Sequence, residues 1–203
     1  EIFGQVKKAY AVACAAGGTG AALNRLFQRA FHVAKAARTE THVTRGPVSV
    51  GSAAVDLAGA VFPNGLHGCR VMILGAGENS EATAQALRSR GVQSLFVSNR
   101  SFDRAAELAG RIGGGAIHFS EWDQYFHDID ILISSTSAPH VLVKAERLAG
   151  MMRLRPERPL FVIDLAVPRD VEPTAGTLPG VHLYDIDSLR EIVERGLQIR
   201  RHE

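Results

Sequence analysis

From about residue 69 onward, short apolar runs alternate with helical runs, and this alternation constrains the fold more than any other feature. The apolar runs have the length and composition of buried strands, and the segments between them carry apolar residues at helical spacing. Such alternation predicts an α/β fold with a Rossmann-like, doubly wound, mostly parallel sheet that binds ligands at the carboxyl ends of its strands. The predicted strands are RVMIL, SLFVSN, AIHF, DILISS, LFVIDL and VHLYDI.

The chain divides into three parts on this pattern. Residues 1–62 carry helical spacing of apolar side chains, and Thr19 is the predicted N-cap of the second helix. Residues 63–187 carry the strand-helix alternation, and residues 188–203 continue as a charged helix. We therefore predict a helical segment, a Rossmann-like domain and the start of a further long helix.

A glycine-rich turn directly follows the first predicted strand and leads into a helix. It has the form G-x-G-x-x-S, where a dinucleotide fingerprint usually has a third glycine. Gly75 permits the tight turn, and Gly77 lets the backbone approach a pyrophosphate. The third glycine of the fingerprint serves close packing of helix on strand, so Ser80 in its place slightly increases that distance and leaves the anion site intact. A sharp turn without a ligand is the alternative. The predicted cofactor contacts here are Gly75, Ala76, Gly77, Glu78, Asn79 and Ser80.

The end of the second predicted strand indicates which dinucleotide is bound. A site for NAD usually has an acidic side chain here that binds the ribose 2′-hydroxyl. This chain has Asn99, Arg100 and Ser101 instead. A guanidinium can bind a phosphate through two charge-assisted hydrogen bonds, so the cofactor is predicted to be NADPH. The alternative is an ordinary solvated arginine.

Hydroxyl side chains end the fourth predicted strand, in the sequence ISSTSAP. Ser135, Thr136 and Ser137 are small enough to leave room for the nicotinamide ribose and can donate hydrogen bonds to it; a hydroxyl-rich turn without a ligand is nearly as good an interpretation. After the fifth strand, Arg169 and Asp170 either line a cleft or cap a turn.

The remaining composition argues against several other classes of site. A net charge of +2 is too small to indicate a surface that coats nucleic acid or membrane, and no apolar run is long enough to cross a bilayer. Two unpaired cysteines and eight scattered histidines favour a reducing, cytoplasmic location and no metal site. We expect Cys14 to be a buried, inert thiol and Cys69 to lie at the edge of the sheet away from the ligand.

Eight stretches along the chain carry a family resemblance. They are EIFGQVKKAY, LNRLFQRAFHVAKAARTET, SVGSAAVDLA, ILGAGENSE, VSNRSFDRAAELA, ISSTSAP, VIDLAVPRD and YDID. In this order they cover nearly the whole sequence, which resembles the glutamyl-tRNA reductases. The resemblance implies that residues 1–62 are the tail of a catalytic domain with its linking helix. It also implies that residues 63–187 are an NADP-binding domain, and residues 188–203 the start of a dimerisation helix.

The resemblance also implies a reaction and a set of partners. In this family a cysteine thiolate attacks glutamyl-tRNA(Glu), and NADPH reduces the resulting thioester to glutamate-1-semialdehyde, the first step of the five-carbon route to tetrapyrroles. Its cysteine belongs to a motif that precedes the first residue of this sequence, so no catalytic residue is expected in this chain. A homodimer is expected for the full-length protein, and an aminomutase that takes the product is a further expected partner.

Substrate contacts are implied at two positions. Glu1 and Gln5 match the first and last glutamines of a family stretch that contacts the glutamyl group, although Glu1 replaces an amide by a carboxylate. Two alternatives to this family stay open at this point. One is another NADP-dependent reductase of the shikimate dehydrogenase type, and the other is a nucleotide-binding module without catalysis.

Overall fold

The computed structural model describes residues 2–40 and 49–201. These residues form two compact units. One is helical and contains α1, α2 and the end of α7; the other is an α/β unit that contains everything from α3 to residue 196. The elements are α1 (Ile2–Ala15), α2 (Ala21–Glu40), α3 (Val50–Val61), β1 (Arg70–Leu74), α4 (Glu78–Ser89), β2 (Ser94–Asn99), α5 (Phe102–Ile112), β3 (Gly115–His118), β4 (Ile131–Ser134), α6 (Ala145–Met152), β5 (Leu160–Asp164), β6 (Val181–Asp185) and α7 (Ile186–Arg201).

The six strands form one parallel sheet in the order β3-β2-β1-β4-β5-β6, which confirms the predicted Rossmann-like fold. Chain order reverses direction across the sheet between β1 and β4, which is the point where such folds bind ligands. The strands also end level with one another. Leu74 pairs with Ser98 and with Ser134, and Ser134 pairs with Asp164. The loops that follow these strands are therefore neighbours at one edge, which we call the carboxyl edge.

Each face of the sheet carries its own core, because every central strand is apolar on both sides. On one face Val71 and Ile73 pack with residues of α3, α4, α5 and α7, and on the other Met72 and Leu74 pack with α6 and with a 3₁₀ turn at Trp122–Asp128. Since α3 packs closely on α4 and begins with a capping box at Ser49, it is part of the α/β unit.

The opposite, amino edge of the sheet is held by a buried ionic network. Asp130 is only 5% exposed and accepts hydrogen bonds from Arg158 Nε at 2.7 Å and from the Arg70 amide at 2.9 Å. The Arg155 guanidinium is buried beside it and donates to the carbonyl oxygens of Ile129 and Pro159. Burial lowers the pKa of Arg155, whereas the hydrogen bond to Asp130 raises that of Arg158. The network fixes the starts of β1, β4 and β5 far from the predicted ligand edge.

An aromatic cluster packs α1 against α2 in the helical unit. Tyr10 of α1 lies 4.9 Å from Phe27 and 5.5 Å from Phe31 of α2, measured between ring centroids. The predicted cap was wrong: α2 begins after Gly20, and the Thr19 hydroxyl donates instead to the Cys14 sulfur at 3.3 Å. No helix in residues 2–40 or 49–201 is both long and apolar enough to cross a bilayer.

Candidate functional site

The glycine turn between β1 and α4 has the geometry that a nucleotide loop requires. Gly75 has φ +96°, and a side chain there would place its Cβ 2.2 Å from the Ser135 carbonyl oxygen, so only glycine fits. Gly77 has φ −85°, and a Cβ there would lie 3.4 Å from the Ser135 hydroxyl and 3.9 Å from the Ser135 carbonyl oxygen, which is ordinary van der Waals contact. Gly75 is thus required by the fold, whereas the protein itself leaves room for a Cβ at Gly77.

The first turn of α4 presents its amides at this loop. Its N-cap is Gly77, which has no side chain to bind them, and Glu78 and Asn79 that follow are exposed. Free amides and the helix dipole together favour an anion here. The Ser80 side chain is fully buried, and its hydroxyl has no hydrogen-bond partner among the described residues, so this residue can offer the anion its backbone only.

Two adjoining cavities of about 230 Å³ each lie at the carboxyl edge, one of them over the turn, and because they share four residues they form one cleft. No carboxylate is among the described residues that line the cleft, which suits an anionic ligand. One cavity is lined by Gly75, Ala76, Gly77, Asn99, Arg104, Ser135, Thr136 and Ser137. The other is lined by Asn99, Arg100, Ser101, Arg104, Phe119, Thr136, Ser137, Ala138 and Leu142.

Basic side chains approach the cleft from the end of β2 and the start of α5. The Asn99 side-chain amide donates to the Ser101 carbonyl oxygen at 3.1 Å. Ser101 is the N-cap of α5, and its hydroxyl accepts from the Arg104 backbone amide at 3.5 Å. Arg100 is exposed and forms no ion pair within the described residues. Arg104 lines both cavities, and the sequence analysis missed it. Its position one helical turn after the cap was the available signal, since that turn faces the strand end.

The hydroxyl residues after β4 divide into two groups. Ser134 is fully buried and donates to Asp170 at 2.7 Å, and the Thr136 hydroxyl donates to the same carboxylate at 2.6 Å. Ser135 and Ser137 line the cleft, and their hydroxyls form no hydrogen bond with other described residues. The Thr136 hydroxyl is therefore already used inside the protein, which leaves Ser135 and Ser137 as the better candidates for contact with a ligand.

Arg169 and Asp170 point in different directions despite being neighbours in sequence. Arg169 pairs with Asp185 at the end of β6, whereas Asp170 is buried towards the loop after β4.

Burial works to raise the pKa of Asp185, but hydrogen bonds from Ser188 and the charge of Arg169 outweigh it and lower this pKa. Burial raises the pKa of Asp164, which accepts the Ala166 and Val171 amides.

A depression larger than either of these two cavities has a different character. It measures about 960 Å³ and is lined by a single helix, α2, with small and apolar side chains apart from Arg25 and Arg29. Its described lining includes Ala21 and Ala22, the first residues of α2, but no glycine turn, and its only polar side chains are the two arginines. We therefore regard it as an open helix face and keep the candidate site at the carboxyl edge.

The two cysteines differ from each other in burial. Cys14 is exposed, so the expectation of a buried thiol was wrong: it lies in the last turn of α1, where its sulfur donates to Asn24 of α2 at 3.6 Å but stays open to solvent. Cys69 directly precedes β1 at the amino edge, as expected, and burial raises its pKa to about 11. Gln5 is exposed on α1, and its substrate role stays a prediction; Glu1 lies outside the described residues.

Family models match two parts of this chain. Residues 56–192 match the model described as shikimate / quinate 5-dehydrogenase, and residues 1–41 match the model of the N-terminal domain of glutamyl-tRNA(Glu) reductase. The first match covers most of the α/β unit, including the glycine turn and the whole of the cleft.

Curated relatives that match this chain over its whole length are glutamyl-tRNA reductases. The chain is 47% identical to a glutamyl-tRNA reductase of Akkermansia muciniphila over 203 residues, which are 59% of that protein. It is 45% identical to that of Solidesulfovibrio magneticus over 45% of the relative. The chain thus spans about half the length of the curated relatives that it matches.

Solved structures of glutamyl-tRNA reductases also superpose on this chain. The chain superposes on the glutamyl-tRNA reductase from Methanopyrus kandleri with a TM-score of 0.89 and 40% identity, covering 100% of this chain and 51% of that one. The nucleotide binding domain of the Thermoplasma volcanium enzyme shares the fold, with a TM-score of 0.60 at 21% identity, over 78% of this chain and 100% of that one. The chain therefore belongs to the glutamyl-tRNA reductase family, with a dinucleotide-binding domain of the shikimate/quinate 5-dehydrogenase family at residues 56–192.

Proposed function

We propose that this chain binds NADPH in the cleft at the carboxyl edge and supplies the cofactor-binding part of a glutamyl-tRNA reductase. The reaction would be the NADPH-dependent reduction of glutamyl-tRNA(Glu) to glutamate-1-semialdehyde. Names of relatives at 45–47% identity over the whole chain support the reaction. The homodimer, the aminomutase partner and the cytoplasmic location inferred from the sequence belong to the same proposal.

A single observation carries the choice of NADPH. Two arginines line the cleft, Arg100 just after β2 and Arg104 in the first turn of α5, and no carboxylate among the described residues lines it with them. Guanidinium groups bind a 2′-phosphate through charge-assisted hydrogen bonds, whereas a free ribose diol would be matched by an acidic side chain.

The rest of the cleft has groups suited to the remaining parts of the cofactor. The amides at the start of α4 would bind the pyrophosphate, and Gly77 would let it approach the backbone. Ser135 and Ser137 would donate hydrogen bonds to the nicotinamide ribose from the loop after β4. NADPH, when bound, supplies the hydride; the residues of this chain hold and orient it.

The test is a comparison of cofactor affinities. Arg100→Ala and Arg104→Ala should each weaken NADPH binding about ten- to a hundred-fold, the effect of losing one hydrogen bond to a charged group, and leave NADH binding nearly unchanged. Binding is measured from the fluorescence of the reduced nicotinamide. Arg90→Ala is the matched control, since Arg90 is an exposed arginine at the other end of α4.

Equal losses of NADPH and NADH affinity would contradict the assignment of these arginines to the 2′-phosphate. Unchanged affinity for both cofactors in Arg100→Ala and Arg104→Ala would contradict it as well. A loss in the Arg90→Ala control would show that general surface charge, and not this pair, drives the binding.

A further inference from the structure

Asp170 is a completely buried carboxylate at the carboxyl edge of the sheet, with 0% exposure. Its oxygens accept three hydrogen bonds from the last residue of β4 and from the loop that follows it. The donors are the Ser134 hydroxyl at 2.7 Å, the Thr136 amide at 2.8 Å and the Thr136 hydroxyl at 2.6 Å. Both hydrogen-bond donors of Thr136 are therefore held by one side chain that lies 34 residues away in sequence.

The backbone of Asp170 holds the other end of the same loop. Its carbonyl oxygen accepts from the Leu142 amide at 2.8 Å and from the Val143 amide at 2.9 Å. Since Leu142 lines the cleft, residues 134–143 are tied to Asp170 at both ends. Within the loop, the Thr136 hydroxyl also accepts from the Ala138 amide at 3.1 Å.

This loop lies directly on the glycine turn. The Ser135 amide donates to the Leu74 carbonyl oxygen at 2.8 Å, and the Ser135 carbonyl oxygen fills the space where a Gly75 side chain would be. Thr136 and Ser137 line both cavities of the cleft. A shift of Thr136 would therefore change the shape of the cleft beside the pyrophosphate position.

We propose that Asp170 is a positioning residue of the nucleotide site, which holds Thr136 so that Ser135 and Ser137 face the bound cofactor. This inference rests on the proposed NADPH site. Asp170 does not itself line the cleft, so it acts through the loop. A buried carboxylate suits this role because it offers only acceptors to the three donors that surround it.

An amide in place of the carboxylate should disturb the loop while it keeps the size of the side chain. Asp170→Asn replaces one acceptor oxygen by an NH₂ group. If the NH₂ group takes the place of Oδ2, the Thr136 amide loses its acceptor; if it takes the place of Oδ1, the Thr136 hydroxyl must turn to accept a hydrogen bond instead of donating one. The backbone bonds to Leu142 and Val143 remain. We expect NADPH affinity to fall about ten- to a hundred-fold as a result.

Substitutions at Thr136 test whether the effect passes through this residue. Thr136→Val removes the hydroxyl at nearly constant shape and should also weaken NADPH binding, whereas Thr136→Ser keeps the hydroxyl and should bind like wild type. The double variant Asp170→Asn with Thr136→Val should lose less affinity than the product of the two single losses, because both break the same contact. A purely structural role would not produce this coupling.

The matched control is Asp130→Asn at the opposite edge of the same sheet. Asp130 is also a buried, hydrogen-bonded carboxylate, but it is far from the cleft. This variant should lower the melting temperature, while the folded protein binds NADPH as wild type does. The 203-residue chain is used throughout, with NADPH fluorescence for the dissociation constant and circular dichroism for folding.

The outcomes separate the two proposals. If wild type does not bind NADPH, the proposed function fails and this inference falls with it. If wild type binds and folded Asp170→Asn binds equally well, only the positioning role is overturned. If Asp170→Asn does not fold, Thr136→Val decides: wild-type affinity there overturns the inference. It is also overturned if Asp130→Asn loses as much affinity as Asp170→Asn.

Discussion

At the scale of single residues, neither thiol of this chain has the surroundings of a reactive cysteine. Cys69 is 5% exposed and is surrounded by apolar side chains of the core, so its thiolate is disfavoured. Cys14 is exposed, but it lies in the last turn of α1, the negative end of a helix dipole. Reactive cysteines need nearby positive charge or a helix N-terminus, and Cys14 contacts Asn24 and Thr19 instead.

The raised pKa of Cys69 predicts how stability depends on pH. Its folded-state pKa is about 11, against a usual value of 9.0, so between these values the unfolded chain releases the proton and the folded chain keeps it. Deprotonation thus favours the unfolded state, and the free energy of unfolding should fall by about 1 kcal/mol between pH 8 and pH 10 on account of this group.

Urea unfolding of wild type and Cys69→Ala at both pH values measures this contribution. Wild type should lose about 1 kcal/mol more than the variant on going to pH 10. The comparison removes the contributions of other groups that titrate in the same range. An identical pH dependence for the two proteins would mean that the Cys69 environment does not disfavour its thiolate.

At the scale of elements, the two glycines of the β1–α4 turn have separate roles. Gly75 has a positive φ, and the backbone of the loop after β4 lies directly against it. Gly75→Ala should therefore destabilise the whole α/β unit. Gly77 has an ordinary φ, and a Cβ there would make only ordinary contacts with Ser135. We therefore expect Gly77→Val to remain folded while its side chain blocks the pyrophosphate and abolishes binding of both NADPH and NADH.

Circular dichroism melts and NADPH titrations of the two variants separate these roles. Gly77→Val should keep a melting temperature within a few degrees of wild type, the range expected for a change below about 1 kcal/mol. Normal cofactor binding by the folded Gly77→Val protein would show that the loop is only a structural turn.

The strands and helices were predictable from local sequence patterns. The contacts that hold the loop after β4 beside the cleft were not. Apolar runs and glycines placed every strand end to within one residue, because strand length and turn chemistry are local properties. The role of Asp170 depends on its contact with Thr136 across 34 residues, and nothing near Asp170 in sequence indicates it. Exposure of Cys14 likewise depends on how closely the end of α1 packs on α2.

At the scale of the whole molecule, cofactor binding and turnover should separate. If neither Cys14 nor Cys69 can form the thioester, the 203-residue chain should bind NADPH and yet form no semialdehyde from glutamyl-tRNA(Glu). The assay is incubation with charged tRNA and NADPH, followed by detection of the aldehyde. Product above background that disappears in Cys14→Ser would identify Cys14 as the nucleophile and contradict this expectation.

The ionic network at the amino edge has a consequence for how the chain folds as it is synthesised. A ribosome releases Arg70 and Asp130 before Arg155 and Arg158, because synthesis runs from the amino terminus. Burying Asp130 without its arginine partners is unfavourable, so β4 is not expected to settle beside β1 until residue 158 has emerged. By then β5 follows within a few residues, and both strands can join the sheet in one step. The charges that clamp the finished domain would thus also delay its closure until the polypeptide beyond them is available.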